Sequence, residues 1–393
     1  MPECADVVVV GAGPSGAATA LFLARAGHRV TVLERARFPR DKPCGEGLMP
    51  PGVAVLRRLG LLDAVLATGA RRLEGITYTH PGEGPTVFAA FPAPPGGGAA
   101  WGLGVRRLHF DATLAGALGR EPAITLMEGT VVQGLRRRGA RIVGVDSSAG
   151  PVEAPVVVAA DGLHSRVRRL AGWGGRTRGP VRYGLAGHWR LDTSDRCGVT
   201  VSLAGHHEWY EAPVGGDELL VSTLGGRAHA RTTARDYERM ARAAFPALRD
   251  AELTGAPMAA GDFHQRPARI AGDGLFLVGD AAGYDDPTTG EGLGVGLQLA
   301  EALARRLDAM LTGRSSCAEA VARYARDHRE LWRNRRRLTA LALFMAGHPA
   351  VSRRAVRRAQ QRPQTLSRLL AINCGYCSFL RLTPVDWLTL AGL

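Results

Sequence analysis

The chain has 393 residues and a formal net charge of +14, from 50 Lys+Arg against 36 Asp+Glu. That length can bury a large core in two or three domains. No apolar run approaches the roughly 18 residues of a membrane span, and the sequence enters its first strand almost at once, so neither a membrane anchor nor a secretory leader is expected and the predicted home is cytoplasmic.

Taken in chain order, Asp6 to Val10 reads as an apolar strand, and Gly11, Gly13 and Gly16 then give G-x-G-x-x-G as a helix begins. The three glycines suit a tight turn, close approach of backbone to a pyrophosphate, and close helix–strand packing. A second strand, Arg29 to Leu33, ends at Glu34, at the right distance to meet an adenosine ribose. Strand, helix and carboxylate agree, so the segment predicts a dinucleotide site. Residues 81 to 104 are rich in Gly and Pro and read as an irregular loop or hairpin tip. Val156 to Ala160 reads as a buried strand ending at Asp161-Gly162. Four β-rich runs follow, Tyr183 to Leu191, Val199 to Leu203, His207 to Ala212 and Glu218 to Leu224, as expected of antiparallel strands walling a cavity. Asp236 to Phe245 reads as a helix.

The segment 274 to 300 repeats the strand–turn–helix logic. Leu275 to Val278 is a strand, Gly279-Asp280 ends it, and a Gly- and Pro-punctuated turn leads to a helix from Glu291 to Leu311. Asp280 can accept hydrogen bonds from a sugar-alcohol chain. The free N–H groups near Gly292 and Leu293, at the positive end of a helix dipole, can hold negative charge on a ring. That pairing suits the ribityl chain and pyrimidine edge of a flavin.

From about residue 318 the chain reads as helical and basic. Arg333, Arg335, Arg336 and Arg337 precede the apolar stretch Leu338 to Met345, and Arg353, Arg354, Arg357 and Arg358 follow it. Two readings stand: a solvated arginine face, and a basic amphipathic surface for anionic lipid or an acidic substrate. No groove-reading motif or aromatic platform accompanies the arginines, so nucleic acid is not an expected partner. The cysteines at 4, 44, 197, 317, 374 and 377 are not spaced as a disulfide framework. The pair Cys374-x-x-Cys377 lacks flanking ligands, so no metal site is expected.

With Asp161-Gly162 and Leu163-His164-Ser165-Arg166-Val167-Arg168 as a third motif, the chain resembles the FAD-dependent group A flavin monooxygenase and geranylgeranyl reductase superfamily, which shares the para-hydroxybenzoate hydroxylase-like fold. The resemblance spans residues 5 to about 310. It implies an α/β fold: a Rossmann-like FAD-binding domain (1–80 with 105–180 and 265–315), an inserted antiparallel β-sheet substrate domain (81–104 with 181–264) and a helical, basic C-terminal region (316–393). By resemblance, Gly11, Gly13, Gly16 and Glu34 hold the ADP half. Arg107 faces the phosphates or ribose, with Arg106 as the competing match. Asp161 and Gly162 lie near the pyrophosphate, Gly279 and Asp280 meet the ribityl chain, and Pro287, Gly290, Gly292 and Leu293 run along the ring. FAD is the implied cofactor. With no second G-x-G-x-x-G, NAD(P)H binds transiently or a partner protein donates electrons.

The branch is mixed. FPRDKPCGEGL, residues 38 to 48, and Gly283 within GDAAGYDDPTTGEG are similar to the reductase branch. The substrate-cavity motif Y-x-W-x-F-P of that branch survives only as Pro213, and residues 50 to 70 resemble a flavin-hydroxylase helix. Halogenation in this superfamily uses a lysine motif, whereas Lys42, the sole lysine, lies in the cysteine loop. The favoured expectation is a monooxygenase that hydroxylates a hydrophobic phenolic or polyketide-like molecule through a flavin C4a-hydroperoxide. The alternative is reduction of a carbon–carbon double bond, with Cys44, Glu46, Tyr210 and Asp285 as candidate proton donors or positioning groups. A non-catalytic binding protein on the same fold is the minor alternative, distinguished by absence of bound flavin.

Overall fold

Four consecutive valines, Val7–Val10, form a strand buried on both faces, as the centre of a parallel sheet requires. It pairs in parallel with Val30–Glu34 on one side and Val156–Ala159 on the other. Ile124–Glu128 extends the sheet beyond Val30–Glu34, and Leu275–Leu277 extends it beyond Val156–Ala159. Ala271–Gly272 closes that edge as an antiparallel strand. The computed structural model describes residues 5–80, 84–98, 100–175, 179 and 181–393. Cys4, residues 81–83 and 99 of the expected Gly/Pro loop, and residues 176–178 and 180 lie outside them.

Helices Pro14–Arg25 and Gly292–Leu311 pack together on one face of this sheet, brought close by small residues. A Cβ on Gly279 or Gly296 would lie 2.5 or 2.4 Å from Ser15 Oγ, so a side chain at either position would have to displace that hydroxyl. The other face carries an antiparallel meander, Val132–Arg138, Arg141–Ser147 and Gly150–Glu153, which the sequence reading did not anticipate.

A second sheet has Arg182–Arg190, Glu218–Gly226, His207–Gly215 and Gly198–Leu203 as successive antiparallel neighbours, with Glu252–Leu253 and Met258–Gly261 on the outer edge of Arg182–Arg190. The expected runs match the first four strands within three residues. One boundary is corrected. Gly75–Thr79, expected in the nucleotide domain, pairs in parallel with Gly198–Leu203 and antiparallel with Val87–Ala90, so the second sheet begins before residue 80. Five short residues carry no periodicity that distinguishes one sheet from another, and only long-range pairing decides.

The C-terminal region is helical, but it is a wall rather than an appendage. Helix Cys317–Gly347 opens with a capping box between Ser316 and Glu319, and its Tyr324 hydroxyl donates to Leu277 O at 2.7 Å, tying it to the nucleotide sheet. Val356, Ala359, Leu366 and Leu370, from helices Pro349–Gln361 and Pro363–Asn373, share a core cluster with Leu73, Ile76, Phe91 and Val201. The last helix is Pro384–Ala391.

Candidate functional site

The G-x-G-x-x-G turn divides its glycines by cause. Gly11 has φ +100°, and a Cβ there would lie 2.5 Å from Ala160 O; a Cβ on Gly16 would lie 1.9 Å from Gly11 O. The protein itself forbids a side chain at both. Gly13 is different. Its backbone is extended, at φ −67° and ψ 176°, and the nearest atom to an added Cβ is an Arg40 nitrogen 3.7 Å away. Only a group lying against this turn needs a glycine there. Glu34, 5 % exposed, accepts from Ala12 N at 2.8 Å and Ala36 N at 3.0 Å, which fixes its carboxylate beside the turn.

From this turn one cavity of about 1140 Å³ runs between the two sheets to the C-terminal helices. It is lined by Gly11, Gly13 and Glu34 at one end, by Arg107, Asp161, Gly162, Gly279 and Asp280 further in, and by Pro287, Gly290, Gly292 and Leu293 beyond. Among the described residues no protein donor bonds the Asp280 carboxylate. The twenty-residue helix Gly292–Leu311 has no side-chain cap, because the Glu291 side chain is turned to Arg335. An open turn at Gly13, an unbonded carboxylate at Asp280 and an uncapped helix start thus face one space, and each suits a bound dinucleotide with an anionic ring.

The sequence of this chain decides which family the cradle serves. The profile of the FAD-binding domain family matches residues 4–333. The chain belongs to the FAD-binding domain family. It is an FAD-dependent oxidoreductase of the flavin monooxygenase superfamily, on the α/β fold expected. Menaquinone reductase from Mycobacterium tuberculosis is 32% identical over 324 residues, spanning 78% of this chain and 77% of that protein. The 6-methylpretetramide 4-monooxygenase of Streptomyces rimosus is 28% identical over 324 residues, 75% of this chain and 72% of its own. A flavoprotein/dehydrogenase structure from Cytophaga hutchinsonii superposes with a TM-score of 0.83 at 20% identity, covering 95% and 93% of the two chains.

Within this flavoprotein the expected residues separate into those that face the cavity and those held elsewhere. Arg107 is buried and forms a two-pronged pair with Asp111, at 2.8 and 2.7 Å, on the cavity wall. Arg106 instead ties the cysteine loop to the second sheet through Asp41, Glu46 and Glu218, so of the two arginines Arg107 is the one that borders the cavity. Gly162 borders the space, but the Asp161 carboxylate is spent locally: it accepts from Ser165 Oγ at 2.5 Å and Val167 N at 3.0 Å. Arg168 of the same motif donates to Ala281 O at 2.9 Å, joining the Asp161 loop to the Asp280 turn.

Two candidate proton donors are held in networks of their own. Glu46, 1 % exposed and at φ +52°, accepts from Arg107 N at 2.7 Å and Arg106 Nη1 at 3.3 Å through one oxygen, and meets His188 Nε2 at 2.8 Å through the other. Both oxygens are committed, which makes it a joint between loop and sheet. Asp285 is held by Arg266 and Arg336 at 3.2 Å each and does not border the cavity. Glu46, Cys44 and Tyr210 all border it. Burial pushes the Cys44 thiol above its ordinary range, against the pull of Arg107, so it stays protonated. Burial likewise raises the Tyr210 phenol, whose hydroxyl lies 3.3 Å from Thr288 Oγ1.

A group that the sequence reading did not single out lies beside Tyr210. Glu208, 1 % exposed, and Asp286 share one guanidinium, that of Arg182. Burial is the main cause that raises Glu208 to about 7, partly offset by Arg182. One Glu208 oxygen, Oε1, is buried without a hydrogen-bond partner, on a residue that lines the cavity. Glu208 and Tyr210 project to the cavity face of the same strand while Trp209 packs into the opposite core, as period-two alternation requires. The available signal was a carboxylate on the inward side of a β-rich run.

Proposed function

We propose that this flavoprotein is a monooxygenase that hydroxylates a hydrophobic phenolic or polyketide-like molecule bearing an apolar extension. The observation that carries the reading is the continuity of the cavity. Its polar centre (Glu208, Tyr210, Thr288) lies between the dinucleotide cradle and an apolar end formed by Ile76, Val201, Leu338, Leu366 and Leu370. A polar ring with a lipid-like tail matches that order of surfaces.

FAD, when bound, supplies electron transfer and oxygen activation, with NAD(P)H as the proposed transient reductant. The chain supplies the rest. Gly11 and Gly13 would let backbone approach the pyrophosphate, Glu34 would meet the ribose, Asp280 the ribityl chain, and the N–H groups at Gly292 and Leu293 the charged edge of the ring. Tyr210, held neutral, would hydrogen-bond the substrate's polar head. Glu208, titrating near 7, would take or return the head-group proton. The two sheets and the C-terminal helices would exclude water from the reacting face.

Double-bond reduction is the second reading. It is favoured by the similarity to a menaquinone reductase and by the protonated thiol of Cys44, a proton source beside the cradle. Alkylphenols and polyprenyl quinones of graded tail length, incubated with NADPH under labelled oxygen, separate the two. Label in the product, with KM falling as the tail lengthens, supports hydroxylation. A gain of two hydrogens that persists without oxygen overturns it.

A further inference from the structure

The C-terminal region presents an outer face that the cavity does not use. From residue 332 onward the sequence contains eleven arginines and one acid, Asp386. That acid is internal, accepting from Thr365 Oγ1 at 2.8 Å and from Arg368. On helix Pro349–Gln361, Ala355 and Val356 line the cavity while Arg353, Arg354, Arg357 and Arg358 are exposed. On helix Pro384–Ala391 the division is inward versus apolar outward. Leu390 borders the cavity, yet Val385, Trp387 and Leu388 are exposed, together with Leu393 beyond the helix and Leu380 (84 % exposed) before it. The two helices adjoin, with Arg358 and Arg362 bordering the same surface hollow as Val385 and Leu388.

We infer that this face docks on an anionic lipid bilayer, with Leu380, Trp387 and Leu388 entering the interface and Arg353, Arg354, Arg357 and Arg358 meeting lipid phosphates. A contiguous apolar patch rimmed by one sign of charge is the surface that interfacial binding needs. The charge argues for lipid over a second copy of the chain. A two-fold contact through this face would set arginines against arginines with no exposed acid to offset them. The helices that would lie on the bilayer are the same ones that wall the apolar end of the cavity, so a lipid-like substrate has a short path from membrane to site. The earlier basic-surface reading assigned the apolar part to Leu338 to Met345. Of that stretch, Leu338, Leu341, Ala342 and Met345 line the cavity and Phe344 is half-exposed, while Leu380, Val385, Trp387, Leu388 and Leu393 add outward apolar surface from the last fifteen residues.

The test is sedimentation of the flavin-loaded full chain with vesicles, read without turnover. Its failure leaves the proposed reaction standing, and failure of that reaction leaves docking standing. Wild type is expected to sediment with phosphatidylglycerol/phosphatidylcholine vesicles and at least tenfold less with phosphatidylcholine alone. The pair Arg357→Gln and Arg358→Gln should lower partition by roughly 25-fold, about fivefold per arginine. The pair Leu380→Asp and Leu388→Asp should lower it more than tenfold, with flavin content and melting temperature unchanged in both variants. Absence of sedimentation with anionic vesicles overturns docking. So does loss in the arginine pair alone, which would reduce the face to a general polyanion site, or a wild-type dimer that the leucine pair dissociates.

Discussion

Replacing Glu208 by Gln should stabilise the protein at alkaline pH and leave it unchanged in acid. The carboxyl is buried with one oxygen unpartnered, and its value is raised from 4.5 to about 7. Such a group binds its proton more tightly in the folded chain than in the unfolded one. The stability it contributes is therefore fully present below about 4.5 and is lost as pH rises through about 7. At about 1.4 kcal/mol per pH unit, the loss amounts to about 3 kcal/mol. Glutamine mimics the protonated form and does not titrate. For a chain of this length the unfolding entropy is roughly 0.8 kcal/mol per degree. Flavin-loaded Glu208→Gln should then melt within a degree of wild type at pH 5 and about 4 °C above it at pH 8, by circular dichroism. If wild type is the more stable protein at pH 8, the attraction of Arg182 outweighs burial, and the assignment of a proton-exchanging carboxyl at the cavity fails.

The glycine turn makes a paired prediction. Gly13→Ala should fold normally and bind FAD roughly tenfold or more weakly, measured by fluorescence titration, whereas Gly16→Ala should yield little folded protein. Asp280→Ala should weaken FAD by about tenfold to a hundredfold without lowering the melting temperature of the flavin-free protein, since its carboxylate holds no described protein group. Full flavin occupancy in that variant contradicts the ribityl role. Arg335→Ala should cost about 3–5 kcal/mol, because Glu291 would remain buried without its partner at 3.2 Å. The double replacement Arg335→Met with Glu291→Leu should recover most of that loss in a denaturant titration.

The parts legible in the sequence were those whose chemistry is local. Gly11, Gly13 and Gly16 sit between a strand and a helix within thirty residues of Glu34, and Asp280 ends its own strand. Arg182, Glu208 and Asp286 meet from three separate segments, and no spacing predicts that two carboxylates will share one guanidinium. The roles of Asp161 and Glu46 were obscured for a related reason. A carboxylate's residue type says nothing about whether Ser165, Val167 or His188 will claim its oxygens first. The C-terminal helices were recognised as basic, but their inward faces have meaning only once Gly75–Thr79 and Gly198–Leu203 are paired in front of them.

That pairing also governs how the chain can be made. The second sheet joins strands more than a hundred residues apart, and the nucleotide sheet waits for Leu275–Leu277 to reach Val156–Ala159. Neither layer can close until those later strands have emerged from the ribosome, so slow folding is expected, with large loops to close before these contacts form. Fragments that stop before residue 277 would expose an unpaired edge at Val156–Ala159 and invite aggregation. The cradle for one cofactor thus draws on residues spread from Gly11 to Leu293.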